Sequence, residues 1–475
     1  MSEEIGNYIK QTRLKAGRPL VSKRFRSVPK SIVSSNPTFG VMPMAIVPSS
    51  DTTLWSRLTS FKGRWEIQGV LVLLFLGAAA SGPAGGTAQA QDRKLSAYTV
   101  TVAAGDVDRR ATVVSFPLPT TPNTAAYHLE AGTGRALSLQ IGEGRAWFVL
   151  DHLQAGRERT YQIEAGAASG SEMTLRRRAK TVDISIGDTP VLRYWAEPRP
   201  VPPNVDSIYE RGGYLHPVRT PSGRVITGDY PEDHRHHHGL WSAWTETRFR
   251  GRAPDFWNMG DGTGAVRTMA LDSTWKGPVQ AGLTARHRYV DHTGPAPLTG
   301  LYEEWTLRVY RVPTAETSTR YRLFDLVVTQ TTASASSLIL PKYRYGGVAV
   351  RGPDAWYGNE NARFLTSAGR TRADGNRSRA RWNYFGGMVD GKQAGIAMLG
   401  HPTNFRAPQP LRIPSEMPYF TFAPSQLGSW RIAPGQPYEA RYRFVTFDGP
   451  PDPALLDRLW TDYAYPPSVT VQPAD

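Results

Sequence analysis

The chain of 475 residues contains no cysteine. This absence excludes structural disulfides, zinc–thiolate centres, iron–sulfur clusters and thiol nucleophiles, so any metal would need histidine, carboxylate or backbone oxygen ligands. The standard catalytic signatures are missing as well, because the sequence has no Gly-rich phosphate loop, no nucleophile elbow and no zincin helix. Candidate functional residues must therefore be sought in unusual groupings of other side chains.

Long apolar runs are scarce too. The one clear run, GVLVLLFLGAAA at 69–80, is short, whereas a membrane span needs about 20 apolar residues. Lys62 and Arg64 precede it, and a small-x-small cleavage sequence at 88–90 follows it. These features predict a signal peptide at 67–90 and a periplasmic or extracellular protein with no membrane span after cleavage. An uncleaved N-terminal anchor is the alternative.

The net charge of +15 would suit an acidic partner, but the charge is unevenly distributed. Residues 1–66 hold 11 Lys or Arg against 4 Asp or Glu. This segment is predicted to be a basic disordered extension, or the result of a start codon assigned too early. In the rest of the chain no run of Lys and Arg is interleaved with aromatic residues, so the sequence predicts no nucleic-acid partner.

The 45 glycines and 38 prolines favour short strands joined by many turns over long helices. Alternating polar and apolar stretches recur from Ser96 to the end of the sequence, which predicts an all-β protein. A small N-terminal β-sandwich accessory domain is expected at 91–170, and a linker with the basic cluster Arg176–Arg178 at 171–181. A large antiparallel two-sheet supersandwich is expected at 182–475, with a short C-terminal helix after Asp452.

Four of the ten histidines fall within five residues, in the segment GDYPEDHRHHHGLWSAW. On an extended strand, His234, His236 and His238 would lie on one face and His237 on the other. Imidazole titrates near neutrality and also binds metals, and a neighbouring carboxylate such as Asp233 can fix its tautomer. The spacing therefore indicates either general acid–base chemistry or a metal site, with a polar structural turn as the alternative.

Aromatic residues surround this segment. Tyr214 and His216 precede it in a stretch that could pair with it as a hairpin, and Trp241 follows it. Aromatic faces beside histidine, carboxylate and arginine side chains are what a sugar site needs, because pyranose C–H faces stack on rings. In LYEEWTLRV two glutamates alternate, so only one can face inward. We expect Glu304 or Asp325 to be the carboxylate partner of the histidines.

The segment YLHPVRTPSGRVITGDYPEDHRHHHGLWSAW resembles the hallmark of a bacterial family labelled methane oxygenase PmoA-like, with its His-Pro, Ser-Gly and Asp-His-x-His-His-x-Gly elements in this order. KYRYGGVAVR, WNYFGG and GIAMLGHPTNFRAP resemble further stretches of that family, and the likeness covers about residues 182–465. It implies an exported β-sandwich similar to the galactose mutarotase-like supersandwich, which is common among sugar epimerases, polysaccharide lyases and accessory domains of glycosidases. The family label itself would imply a copper-dependent oxygenase.

These observations lead to the hypothesis of an exported carbohydrate-active protein, an epimerase, lyase or hydrolase, that uses the histidines as acid and base. The candidate catalytic residues are Asp233, His234, His236, His237 and Glu304. The candidate substrate-binding residues are Tyr214, His216, Trp241, Arg344, Tyr345, His401, Asn404 and Arg406. No cofactor is specified, and His234 and His236 are the expected ligands if a metal ion, copper or another, is bound. The alternatives are a non-catalytic glycan-binding or envelope protein and a His-ligated copper oxygenase.

Overall fold

The computed structural model describes residues 94–474, except 123, 125, 133–135, 169–172 and 314–319. The predicted N-terminal extension and signal peptide lie outside the described residues. Within them, none of the helices is both long and apolar enough to cross a membrane. The regular secondary structure of the described chain is almost entirely antiparallel strand, with one α-helix, which confirms the predicted all-β fold.

One sheet is formed mainly by the N-terminal part of the described chain. Its strands are β1 Tyr98–Ala103, β2 Arg109–Pro117, β3 Tyr127–Glu130, β4 Leu137–Gly142, β5 Arg145–Leu153, β6 Glu158–Ala165 and, from the C-terminus, β25 Ser468–Pro473. The strand order in this sheet, sheet A, is β2-β5-β4-β3-β6-β1-β25. Val469 and Val471 pack against the same core as Val100 and Phe148, which explains why the last strand pairs with β1. The expected domain at 182–475 thus gives its final strand to the N-terminal sheet.

Two larger sheets follow. Their strands are β7 Met173–Arg177, β8 Thr181–Ile186, β9 Thr189–Trp195, β10 Tyr214–Val218, β11 Leu240–Ala243, β12 Gly264–Trp275, β13 Gln280–Asp291, β14 Leu298–Tyr310, β15 Tyr321–Thr332, β17 Gly347–Arg351, β18 Ala362–Thr366, β19 Trp382–Val389, β20 Lys392–Gly400, β21 Leu411–Arg412, β22 Tyr419–Phe422 and β24 Tyr438–Asp448. A separate pair is formed by β16 Leu338–Leu340 and β23 Trp430–Ile432.

The two larger sheets pack face to face, as the sequence predicted. Sheet B has the order β21-β22-β17-β11-β10-β9-β8-β7, and sheet C has the order β12-β13-β14-β15-β24-β20-β19-β18. Apolar side chains from the facing sides, such as Leu240 of sheet B and Trp305 of sheet C, belong to one continuous buried core. Burial of this apolar surface is the main force that holds the two sheets together.

The expected linker at 171–181 is instead, in part, the edge strand β7 of sheet B. Residues 173–177 pair in register with residues 182–186. Leu175 packs against the core while Arg176 is exposed, so the alternation of a strand accommodates the basic cluster. The domain boundaries themselves stay a prediction.

The predicted C-terminal helix is confirmed as α1 Pro453–Ala464. The side chain of Asp452 caps it by accepting a hydrogen bond from the N–H of Leu455 at 3.0 Å. Leu456 and Leu459 bury the apolar stripe of the helix in a second core, which also includes side chains of sheets A and C. The helix therefore serves packing, as a stripe of this spacing usually does.

Candidate functional site

The histidine segment folds as a compact loop over residues 229–238, which we call the histidine loop. It forms the second half of the connection from β10 to β11, and the N–H of Gly239 donates to the carbonyl of Gly228 at 2.8 Å where the loop closes. Inside it, the N–H of His237 donates to the carbonyl of His234 at 2.8 Å and makes a turn. The expectation of an extended strand is therefore wrong, because turns replace the alternation of faces.

The turns bring three histidines together and separate the fourth. The ring centroids of His234, His236 and His237 lie 4.8, 4.9 and 5.5 Å apart. His238 instead packs on Tyr214, with the ring centroids 5.0 Å apart. The loop therefore contributes to two different groups of polar residues.

The histidine loop lies over the outer face of sheet B, the face turned away from sheet C. Ser242 marks the inner face, because its hydroxyl donates to Glu303 of sheet C at 2.8 Å. Its neighbour Trp241 must then point outward, and so must Ala349, the residue opposite Trp241 on β17. Arg351 follows Ala349 by two residues and shares this face. The strands thus place an indole ring and a guanidinium beneath the loop.

The first group is centred on Asp229, whose side chain is 2% exposed. It accepts hydrogen bonds from Arg199, from the hydroxyl of Tyr214 at 2.9 Å and from Nδ1 of His238 at 2.9 Å. Burial raises the pKa of Asp229, but the hydrogen bond from His238 and the charge of Arg199 lower it by more. Asp229 therefore stays ionised and fixes the proton of His238 on Nδ1.

His216 lies beside this first group on the same face. Its Nδ1 is 3.0 Å from the hydroxyl oxygen of Thr227. Burial lowers the pKa of His216 to about 4, although the charge of Asp229 opposes the shift. The structure thus brings a neutral imidazole next to the histidine loop.

The second group is built on Arg351, whose side chain is fully buried. Its guanidinium donates to Oδ1 of Asp233 at 3.1 Å and to Oδ1 of Asp354 at 3.4 Å, and it lies 3.4 Å from Nδ1 of His237. Nδ1 of His234 lies 3.0 Å from the other carboxylate oxygen of Asp233. One buried arginine therefore holds the carboxylate that contacts His234.

These contacts set the charges in the second group. Burial raises the pKa of Asp233, but Arg351 and His234 lower it by more, so the carboxylate is ionised at neutral pH. Burial lowers the pKa of His236 to about 3 and holds that of His237 well below its ordinary value. Two neutral imidazoles therefore lie beside the pair of Asp233 and His234, whose side chains remain 28% and 33% exposed.

Aromatic rings surround His237. Its ring centroid lies 5.0 Å from that of Trp241 and 4.8 Å from that of Tyr419. Trp257 packs on Trp241 at 5.0 Å and on Tyr345 at 5.1 Å. All of these rings are buried except that of Tyr345, which is half-buried. Tyr345 is thus the member of this group that can offer ring surface to a ligand.

Two predicted substrate-binding residues, Tyr214 and Trp241, are fully buried. They support the histidine loop from beneath and do not face a ligand, because the loop folds back over them. Arg344 is exposed, and its guanidinium carbon lies 5.5 Å from the ring centroid of Tyr345. Arg344 and Tyr345 therefore remain accessible at the edge of the second group.

Glu304 does not reach the histidine loop. It is exposed on the outer side of sheet C, whereas Glu303 points into the core. There Glu303 accepts hydrogen bonds from Ser242, His287, Tyr289 and Gln330. The alternative carboxylate, Asp325, is occupied by a bidentate contact with Arg443 at 2.8 and 2.9 Å. Of the predicted carboxylates, Asp233 contacts a histidine of the loop, whereas strand alternation leaves Glu304 on the outer side of sheet C.

His401, Asn404 and Arg406 lie elsewhere, in the connection that follows β20. The ring of His401 packs on Tyr463 of α1 at 5.0 Å. The side chain of Asn404 exchanges two hydrogen bonds with the backbone of Arg441, and Arg406 donates to backbone carbonyls. These three residues hold neighbouring segments of the fold together, and none of them has a described contact with the histidine loop.

The expected metal ligands His234 and His236 do not form a donor set for a metal ion. Their rings pack edge to face at 5.5 Å, and Nδ1 of His234 faces Asp233. Across the described residues, no group of three or more His, Asp or Glu side chains is arranged to hold a metal ion. The residues present therefore do not fit the copper ion that the PmoA-like label implies.

A comparison with known sequences identifies the family to which this chain belongs. Residues 181–461 match the sequence profile of DUF6807, a family of unknown function. The chain belongs to this family. No curated protein matches it significantly. The DUF6807 segment runs from β8 into α1 and includes both groups of polar residues. This match does not show the PmoA-like label.

Solved structures resemble the chain only distantly. A protein in glycosyl hydrolase family 38 and an alpha-mannosidase, both from Enterococcus faecalis, each have 9% identity and a TM-score of 0.38. The matches cover 80% and 79% of this chain but 48% and 46% of those proteins, so the chain spans about half of their length. A galactose 1-epimerase from Lactobacillus acidophilus NCFM, the kind of protein that the mutarotase-like resemblance suggested, has 7% identity and a TM-score of 0.29 over 59% of this chain and 100% of its own. Scores this low do not support an assignment of activity.

The sequence patterns did not identify the two arginines that organise the polar groups around the histidine loop. Arg351 holds the second group, and Arg199 completes the first. A signal existed for Arg351, because it ends the apolar strand GGVAVR, where a charged residue needs a buried partner. No comparable signal marks Arg199, which lies in a Pro-rich connection.

The depressed pKa values predict that the DUF6807 domain loses stability in mild acid. The unfolded chain protonates His216 and His236 near pH 6.5, whereas the folded chain does so only near pH 4 and pH 3. The free energy of unfolding should therefore be fully retained above about pH 6.5 and should fall by roughly 1.4 kcal/mol per pH unit for each histidine below it. Urea unfolding between pH 7 and pH 4.5 measures this slope. His236→Gln should reduce the slope by about one proton, and an unchanged slope would contradict the assignment.

Proposed function

We propose that this protein is a carbohydrate-active enzyme whose acid–base pair is Asp233 and His234. The observation that supports it best is the distance of 3.0 Å between Nδ1 of His234 and Oδ2 of Asp233, at a partly exposed position. The other carboxylate–histidine contact that the structure describes on this face, between Asp229 and His238, is buried. The proposal includes export to the periplasm or beyond, on the strength of the signal-peptide sequence.

The pair can move a proton in a simple way. Nδ1 of His234 lies 3.0 Å from the ionised Asp233, which Arg351 holds, but it is not aligned for a hydrogen bond. A rotation of the imidazole that aligns the two groups lets Asp233 accept a hydrogen bond from Nδ1–H and leaves Nε2 free to take a proton from a sugar hydroxyl or carbon. The imidazolium that forms is stabilised by the same carboxylate, and it can return the proton to a leaving group. Epimerases, lyases and hydrolases all need such a step.

Neighbouring residues suit the binding of a sugar. The neutral His236, with a pKa of about 3, can exchange hydrogen bonds with hydroxyl groups without changing its charge. The half-buried ring of Tyr345 offers a face for pyranose stacking, and the exposed Arg344 beside it can bind a hydroxyl or a carboxylate.

The proposal is tested by incubating the purified protein with a panel of neutral, uronate-containing and sulfated polysaccharides. Products are detected by mass spectrometry and by new reducing ends. His234→Ala and Asp233→Asn should each lower turnover about 10²–10⁴-fold, the usual size of a general acid–base contribution. Glu232→Ala, an exposed change in the same loop, is the control and should leave turnover unchanged. Unaltered turnover in His234→Ala would remove the assignment, and binding without any product would favour a non-catalytic glycan-binding protein.

A further inference from the structure

A basic groove crosses the edge of sheet B on the same face as the histidine loop. It has a volume of about 300 Å³. Its lining includes four arginines, an aspartate and a proline: Arg176, Arg178, Arg193, Arg219, Asp183 and Pro217. Pro217 directly follows His216, which lies beside the first group, so the groove is adjacent to that group.

The groove carries an excess of positive charge. Asp183 is paired with Arg178 at 3.1 Å and with Arg193 at 2.5 and 3.1 Å, so one carboxylate balances two guanidinium groups. Arg219 donates to a backbone carbonyl, which does not neutralise its charge. Arg176 is exposed and makes no ion pair among those of the described residues. Even with Asp188 counted, four arginines face two aspartates.

Strand register shows that the groove and the histidine loop share one surface. Arg176 lies opposite Asp183, and Asp183 lies opposite Arg193, so all three side chains point to the same side. Trp195 follows Arg193 by two residues on this side and is half-buried. The guanidinium carbon of Arg199 lies 5.4 Å from the Trp195 ring centroid. A row of arginine and indole side chains therefore extends from the groove to Arg199, which contacts Asp229.

We propose that this groove binds the acidic groups of an anionic saccharide, a uronate-containing or a sulfated chain, whose reacting sugar lies at the histidine loop. The inference rests on the proposed function, because it names the class of sugar that the same face would take. Guanidinium groups form paired hydrogen bonds with carboxylates and sulfates, and the four arginines of the groove lie along one side of the sheet edge. A neutral glycan would leave the arginines without partners.

Two adjacent arginines provide a matched test. Arg176→Glu reverses a charge inside the groove, while Arg177→Glu makes the same change on the opposite face of the same strand. Affinity electrophoresis of the full chain in polygalacturonate, in dextran sulfate and in uncharged dextran measures binding, and thermal unfolding confirms that both variants fold. We expect Arg176→Glu to weaken binding to the charged polymer about tenfold and Arg177→Glu less than about twofold. Uncharged dextran should not bind.

The outcomes separate this inference from the proposed function. Stronger binding to polygalacturonate identifies a uronate chain, and stronger binding to dextran sulfate identifies a sulfated one. Equal losses for the two variants, or no binding to either polyanion, would overturn the anionic groove. If neutral glycans alone are converted and His234→Ala abolishes that conversion, the groove fails while the acid–base site stands. If the groove binds as expected and His234→Ala changes no turnover, the acid–base site fails instead.

Discussion

Arg351→Met is expected to lower the free energy of unfolding by about 2–4 kcal/mol. The guanidinium is fully buried, and its removal leaves two carboxylates and a histidine nitrogen without their donor. Removing one partner of a buried ion pair costs about 3–5 kcal/mol. The loss expected here is somewhat smaller, because Asp233 and Asp354 retain contact with water. The histidine loop should lose its anchor, so turnover should fall together with stability.

Urea unfolding at neutral pH measures the loss, and a surface arginine provides the control. Arg370 pairs with Asp374 at 3.6 Å, and both side chains are about half exposed. Arg370→Met should therefore cost less than about 1 kcal/mol. If the two substitutions had equal effects, Arg351 would not be the residue that holds the loop.

Gly239→Ala is the second substitution with a large expected effect. Gly239 closes the histidine loop with φ at +39°, and a Cβ atom there would lie 2.1 Å from the carbonyl oxygen of Leu215 and 2.9 Å from Cβ of His216. Both neighbours belong to β10, so relief requires the strand and the loop to separate. We expect a loss of about 3–5 kcal/mol, at the upper end of single-substitution effects, or failure to fold.

A second glycine separates the steric cost from the conformational one. Gly223 has φ at +88°, and no atom lies within 4 Å of a Cβ built there. Gly223→Ala should lower the free energy of unfolding by only about 1–2 kcal/mol, which is the cost of placing alanine in the left-handed conformation. Thermal unfolding of both variants compares the two costs, and a Gly239→Ala protein as stable as Gly223→Ala would show that the loop does not pack tightly on β10.

Local sequence patterns were sufficient where local interactions decide the structure. The cap at Asp452 and the apolar stripe with Leu456 predicted α1 because both depend on residues within one or two turns. The alternation in LYEEWTLRV predicted that one glutamate would face inward. It did not show which one, because the choice depends on the His287 and Ser242 side chains that strands β13 and β11 bring to Glu303.

The histidine loop could not be derived from spacing, because distant residues shape it. Arg351, which holds Asp233, lies 118 residues further along the chain. Steric fit at Gly239 also depends on the backbone of β10. A period of two places side chains on a strand, but here turns bring His234, His236 and His237 together. Pairing of β25 with β1 was missed for the same reason, since these strands lie at opposite ends of the described chain.

Proton transfer by the proposed pair of Asp233 and His234 can be tested by measuring turnover and binding separately in His234→Gln. The measurement uses a glycan that the unaltered protein converts, with Glu232→Gln as the control in the same loop. We expect His234→Gln to lose about 10²–10⁴-fold in kcat while its Kd changes by less than about threefold, and Glu232→Gln to retain both values. A His234→Gln protein that retains kcat, or that loses binding and turnover in equal proportion, would contradict it.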